Sequence, residues 1–178
     1  MQSLSLIDEL TGLYNRRGFL AVTEQHVAAI RRDKKVPIVV YADLDGLKEI
    51  NDSFGHHEGD RALAGAAEIL KETFRSSDIL ARLGGDEFIV LAAIAQDESA
   101  ESLTRRLQEQ FSISNTLNGR PYDLSVSVGV AHFENGDRFS IEDLMAQADR
   151  AMYEDKRRKP PRQNYPRQFM RPRIEAVA

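Results

Sequence analysis

Apolar residues recur along the chain with two periods, one helical and one extended. Phe19, Thr23, His26, Val27 and Ile30 fall at helical spacing and predict an N-terminal helix. Pro37 then admits the apolar run Ile38-Val39-Val40-Tyr41-Ala42, which reads as a buried strand. Leu63, Ala66, Ala67, Leu70 and Phe74 mark a second helix, and Leu103, Leu107 and Phe111 a third. Between these two helices, Ile79–Leu83 and Glu87–Ala93 read as short strands joined through Gly84-Gly85-Asp86, a hairpin signal. Asn118-Gly119 predicts a further turn. After it, Leu124, Val126, Val128 and Val130 alternate with Ser125, Ser127, Gly129 and Ala131, giving a strand with one large face and one small face. Ser140 and Asp143 predict the capped start of a last helix bearing Ile141, Leu144, Ala148 and Met152.

Strand–helix–strand–strand–helix–strand is the order of an α+β fold with a ferredoxin-like, palm-type βαββαβ core. It predicts a central, largely antiparallel sheet flanked by helices, with the sheet's helices on one face and the N-terminal helix added outside the core. A chain of 178 residues suits one domain, and its 42% hydrophobic content is enough to bury a core. No interior linker or repeat interrupts it. The one break in composition is near Lys159, where a Pro- and Arg-rich stretch begins. The expected division is a domain over 1–158 and a basic tail over 159–178, extended or disordered.

Charge sharpens this picture. The net charge is −4, yet residues 156–178 hold eight Lys/Arg against one acid, so the rest is strongly acidic. An acidic body excludes general nucleic-acid binding, which draws on dense positive charge. A phosphate-rich ligand would need metal ions and a few placed cations. With no cysteine, disulfides and thiolate metal sites are excluded. No apolar run reaches the roughly 20 residues of a membrane span, and the N-terminus lacks the regions of a signal peptide. A cytoplasmic setting, or the cytoplasmic part of a larger signalling protein, is expected.

Two acidic clusters carry candidate chemistry. The first strand runs into Asp43-Leu44-Asp45-Gly46-Leu47-Lys48, and two carboxylates two residues apart share a face if the strand continues. A calcium loop of EF-hand type fails, because its fifth and sixth positions hold Leu47 and Lys48. The second cluster is Gly84-Gly85-Asp86-Glu87-Phe88, two adjacent acids at a tight tip, with Phe88 and Val90 directed to the core and Glu87 outward. If the strand ends lie side by side, Asp43, Asp86 and Glu87 converge. Such hard oxygens suit Mg²⁺ or Mn²⁺, which also bind phosphate. On spacing alone, exposed turn charges explain the same residues equally well.

The stretch Arg82-Leu83-Gly84-Gly85-Asp86-Glu87-Phe88 resembles the signature of the GGDEF family of diguanylate cyclases. Three further segments are similar to that family in the same order. Asp8 to Arg17 resembles its opening motif, Asp43 to Asp60 its nucleotide-binding stretch, and Ala148 to Tyr153 with Lys156 its final helix. The likeness covers residues 6–158.

The resemblance implies condensation of two GTP into cyclic di-GMP with release of two pyrophosphates, dependent on Mg²⁺ or Mn²⁺. It assigns metal binding to Asp43, Asp86, Glu87 and the Leu44 carbonyl, with Glu87 a candidate to assist deprotonation of the attacking hydroxyl. Asn51 and Asp60 match guanine-reading positions, and an amide with a carboxylate suits the donors of guanine. Lys48 and Lys156 match phosphate-contacting positions, and main-chain N–H groups from Gly46 through Leu47 to Lys48 suit the same oxygens. Each has an ordinary alternative: Asn51 a polar helix residue, Asp60 an N-cap for the helix at Arg61, and the lysines solvated charges. One GTP per subunit implies a two-fold homodimer for catalysis. The chain begins near the opening motif, so the isolated domain is expected to be mostly monomeric. Arg75-Ser76-Ser77-Asp78 matches the family's RxxD inhibitory site for product, and Arg106 a position that assists from a second subunit. A helix-end ion pair would explain Arg75 and Asp78 equally well. Two departures stand out: Leu47 replaces the usual Phe, and Pro160 replaces a basic residue expected four positions after Lys156.

Overall fold

The structure, a computed structural model, describes residues 5–95, 98–132 and 140–160. Helix α1 (Arg16–Arg32) leads into strand β1 (Val36–Leu44), then α2 (Leu47–Phe54) and α3 (His56–Thr73). Strands β2 (Ile79–Gly84) and β3 (Glu87–Ile94) form a hairpin, followed by α4 (Ala100–Leu117), β4 (Val126–His132) and α5 (Ile141–Arg158). The sheet runs β2-β3-β1-β4 with every pairing antiparallel, which is the ferredoxin-like order. Each expected element is present.

One expectation needs correction: helices cover both faces of the sheet. From β1, Ile38, Val40, Ala42 and Leu44 pack with residues of α3 and α4. Val39 and Tyr41, on the opposite face, pack with Phe19 and Ile30 of α1 and Leu144 and Ala148 of α5. A continuous apolar run serves a strand buried on both sides, where alternation would serve one side only. The small-residue face of β4 has the same origin. A Cβ on Gly129 would fall 1.9 Å from the Ala148 carbonyl oxygen and 2.2 Å from the Met152 nitrogen, so α5 lies backbone-close on β4. Ser140 and Asp143 form a full capping box at the start of α5.

The sequence pattern also missed α2. Its Leu47, Ile50 and Phe54 recur at helical spacing between Gly46 and Gly55, a signal too short to stand out beside two longer helices. Residues 5–14 form a turn hooked onto the free edge of β2. Asp8 accepts from the Thr11 N–H at 2.9 Å and its hydroxyl at 2.7 Å, and Tyr14 bridges to Ala81. This covers an edge that would otherwise present unpaired main-chain groups. Among the described residues, no helix is long and apolar enough to cross a membrane.

Candidate active site

The site lies where β1 ends beside the β2–β3 tip. Asp43 pairs in register with Glu87 on β3 and with Ser127 on β4, so the three share a face. The Leu44 N–H donates to the Asp86 carbonyl at 2.9 Å, which brings the hairpin tip against the strand end. Gly84 and Gly85 take positive φ values of 146° and 50° there, a tip that residues with a Cβ rarely adopt. Arg82 fixes the tip from below. Its Nε and Nη2 donate to the Gly85 carbonyl at 3.0 and 2.8 Å, while Nη1 pairs with Asp8 at 3.2 Å. The opening turn and the signature are thus one connected piece.

Asp43 and Asp45 share a face: the Asp45 N–H extends the pairing with β4 by donating to the Ser125 carbonyl at 2.9 Å, and Gly46 then turns the chain with φ 74°. Asp43, 5% exposed, accepts from Lys156 Nζ at 2.6 Å. Burial, together with the charges of Asp86 and Asp45, pushes its carboxyl up to about 6 against the pull of Lys156. Burial lowers the Lys156 ammonium, but its bond to Asp43 and the surrounding acids outweigh that and raise it. Asp45 turns toward β4 and accepts from the Ser125 and Ser127 hydroxyls at 2.7 and 2.6 Å and from Lys159 at 2.8 Å. Burial works against its charge, and those three donors overcome it and hold its carboxyl below the ordinary value.

Asp45, Lys156 and Lys159 border a cavity of about 480 Å³ lined also by Gly46, Leu47, Lys48, Glu49, Asp86, Ser125 and Pro160. The first turn of α2 opens into it, with main-chain N–H groups that have no partner inside the helix. An N-terminal helix turn, Lys48, Lys156 and Lys159 together make an electropositive rim around an acidic floor, an arrangement that suits phosphate oxygens.

The fit to a divalent metal is partial and specific. Among the described residues, no three Asp, Glu or His side chains stand close enough to cage an ion alone. Asp86 lines the cavity and Asp43 stands behind Lys156, and carboxylates so placed are the hard-oxygen donors that suit Mg²⁺ or Mn²⁺ when water and phosphate complete the shell. The Asp43 carboxyl is raised first by burial and then by the charges of Asp86 and Asp45, and a bound cation would oppose both.

The remaining expected residues divide between places. Asn51 lies on α2 and Asp60 on α3, joined by a close packing in which a Cβ on Gly59 would meet Asn51 Oδ1 at 1.8 Å. Asp60 is the fifth residue of α3, not its N-cap, because the helix begins at His56. Arg75 and Asp78 line a separate cavity of about 510 Å³ beside Lys71 and the opening turn. The Asp78 carboxylate accepts from the Arg75 main-chain N–H at 2.9 Å; among the described residues no ion pair joins the two side chains. Arg106 is on α4 facing Glu98 at 3.9 Å and does not line that cavity.

Two residues escaped the sequence reading. Lys159, the residue after α5, reaches Asp45 and the Val126 carbonyl, one position before the proline that replaces the expected cation. Its place in a basic run masked it. Tyr41, 5% exposed on the Asp43 face, has its phenol pushed up to about 12 by burial first, then by the charges of Glu87 and Asp149. It stays a neutral donor beside Glu87, and an apolar strand gave no sign of that.

Fold and site together define an α+β domain of ferredoxin-like class with a lysine-rimmed acidic cavity at one end of its sheet. The chain belongs to the GGDEF family, whose sequence model, described as diguanylate cyclase, GGDEF domain, matches residues 5–162. It is 38% identical over 156 residues to the cyclic di-GMP phosphodiesterase NbdA of Pseudomonas aeruginosa, covering 88% of this chain and 20% of that protein. It is 36% identical over 154 residues to the diguanylate cyclase DgcP of the same organism, covering 86% of this chain and 23% of that one. The chain therefore spans about a fifth of the length of these relatives. A solved microbial GGDEF domain, described for its interaction with cyclic di-GMP, superposes with a TM-score of 0.73 at 33% identity, covering 89% of this chain and 97% of the other.

Proposed function

We propose that this domain is a diguanylate cyclase, converting two GTP into cyclic di-GMP and two pyrophosphates with Mg²⁺ or Mn²⁺. The observation that carries this reading is the single cavity bordered by Asp86, Lys48, Lys156 and the start of α2, with Asp43 hydrogen-bonded to Lys156. The 3′-hydroxyl of one GTP attacks the α-phosphorus of the other, a P–O bond forms, and pyrophosphate leaves; the same step in reverse roles closes the ring. Metal held by Asp43, Asp86, Glu87 and the Leu44 carbonyl would supply charge neutralisation and hydroxyl activation. Lys48, Lys156, Lys159 and the N–H groups at Gly46 and Leu47 bind the triphosphate, while Asn51 and Asp60 read guanine. Two such sites must face each other across a two-fold axis, since each holds one nucleotide.

Product inhibition is proposed at the cavity beside Arg75 and Asp78, whose arginine side chain is exposed and suited to a phosphate or guanine edge. Arg106 of a second subunit would assist there. Residues 159–178 are proposed as a basic tail, of which Lys159 and Pro160 border the active cavity.

A second reading is a catalytically weak domain that binds GTP or cyclic di-GMP and signals by contact. Pro160 favours it, as does the resemblance to a protein named as a phosphodiesterase. Chromatography of GTP and Mg²⁺ incubated with the protein separates the two. The cyclase reading predicts cyclic di-GMP, abolished by chelation and by Asp86→Ala or Glu87→Ala. Bound nucleotide with no product at high protein concentration selects the receptor.

A further inference from the structure

The segment between α4 and β4, residues 118–125, lies as a strap across the first half of α3. Asn115 pins its end, donating to the Leu124 carbonyl and accepting from the Leu124 N–H, both at 2.8 Å. Arg120 passes over Gly65, where a Cβ would stand 3.3 Å from its Nη1. Tyr122, only 3% exposed, is the centre of the strap. Its ring packs on Phe54 at the end of α2, with centroids 5.3 Å apart. Its hydroxyl lies 3.0 Å from the Glu58 carboxylate and 3.1 Å from the Glu58 carbonyl, in the first turn of α3.

Tyr122 therefore touches both arms of the α2–α3 corner, on either side of Gly55, whose φ of 90° makes the turn. Those arms carry Asn51 and Asp60, three positions before Phe54 and two after Glu58. Main-chain bonds from Gly55 to Asn51 and from Gly59 to Gly55, with the close fit of Asn51 against Gly59, hold the backbone of the corner, and Tyr122 adds a side-chain link between its two arms.

We propose that Tyr122 is a specificity-positioning residue: its hydroxyl locks the α2–α3 corner so that Asn51 and Asp60 meet one guanine edge together. The proposal rests on the reading of Asn51 and Asp60 as guanine readers. Tyr122 touches no nucleotide itself; it acts through Glu58 and Phe54. Burial and the neighbouring Glu58 carboxylate hold the phenol far above its ordinary value, so it is a donor throughout the working pH range. Loosening the corner costs discrimination at the base and leaves the triphosphate end, formed by α2's start and α5, unaffected.

The test is calorimetric binding of GTP and of ITP, which lacks the guanine 2-amino group, to the full chain with Mg²⁺. Wild type prefers GTP. Tyr122→Phe, which removes only the hydroxyl, narrows that preference about fivefold while ITP affinity changes less than about twofold, the scale of one net hydrogen bond. Glu58→Gln keeps an acceptor oxygen and retains the wild-type ratio. Glu58→Ala keeps the carbonyl acceptor and gives a smaller loss in the same direction; it is the deciding variant if Tyr122→Phe does not fold. Asp60→Ala sets the floor by removing base reading. A ratio unchanged in Tyr122→Phe and Glu58→Ala but collapsed in Asp60→Ala overturns the positioning role alone. A ratio unchanged in all three overturns the base reading, and the proposal with it. Equal weakening of GTP and ITP would mark a merely structural tyrosine and also overturn it.

Discussion

Gly129→Ala adds one methyl group and meets the backbone of a helix. The new Cβ falls 1.9 Å from the Ala148 oxygen and 2.2 Å from the Met152 nitrogen, roughly 1.5 Å short of ordinary contact at 3.4 Å. Neither atom belongs to a side chain that can swing away. The strand is paired to β1 through Tyr41, so it is α5 that must give. Overpacking of this kind costs about 1–3 kcal/mol, which for a chain of this size lowers Tm by roughly 3–10 °C. The functional consequence is separate. Lys156 reaches Asp43 from α5 at 2.6 Å, and a shift of about an ångström or more takes that pair past normal hydrogen-bond reach. Gly129→Ala should therefore melt earlier and bind GTP more weakly than wild type, measured by thermal unfolding and calorimetry on the same preparation. A variant with unchanged Tm and unchanged GTP affinity would refute the argument that backbone contact with β4 sets the position of α5 and its lysine.

Lys159→Ala should weaken GTP binding about three- to tenfold, the scale of a half-exposed charge-assisted contact, because Lys159 is proposed to supply the cation that Pro160 does not; unchanged affinity in calorimetry would return it to a purely structural role with Asp45. The Asp8 carboxyl gives a pH prediction. Burial opposes its charge, but the Thr11 hydroxyl and N–H and the Arg82 guanidinium prevail and hold it below 3.8. A lowered folded value means that the contribution is fully present above 3.8 and lost as pH falls through the lower folded value. Tm followed downward from about pH 6 should thus fall more steeply in wild type than in Asp8→Asn, and equal acid slopes would contradict the clasp.

The sheet order and every long helix were legible because each had enough residues for its period to show. The acidic tip stood out because two adjacent acids follow two glycines, although exposed turn charges account for the same residues equally well. What the sequence concealed follows from distance along the chain and from small size. Eight-residue α2 carries only three apolar anchors, and the two-sided burial of β1 needed α5 to be known as its cover. The pairings Lys156–Asp43 and Lys159–Asp45 join positions more than a hundred residues apart. Lys159 looked like one charge in a basic run. The resemblance to the family, by contrast, drew attention to Pro160 and away from the lysine beside it. That Asp45 shares a face with Asp43 was legible from strand periodicity; that Ser125, Ser127 and Lys159 hold its carboxylate was not, because they lie 80 or more positions away.

The central claim is that two copies of this site, each holding one GTP, make one cyclic dinucleotide. The most direct test is the initial rate of cyclic di-GMP formation from GTP and Mg²⁺ as the protein is serially diluted. The account predicts one cyclic di-GMP for every two GTP consumed, and a rate that rises as the square of protein concentration while monomers predominate. A rate strictly proportional to protein would contradict the facing-site arrangement, and bound GTP with no product at any concentration would contradict the cyclase itself.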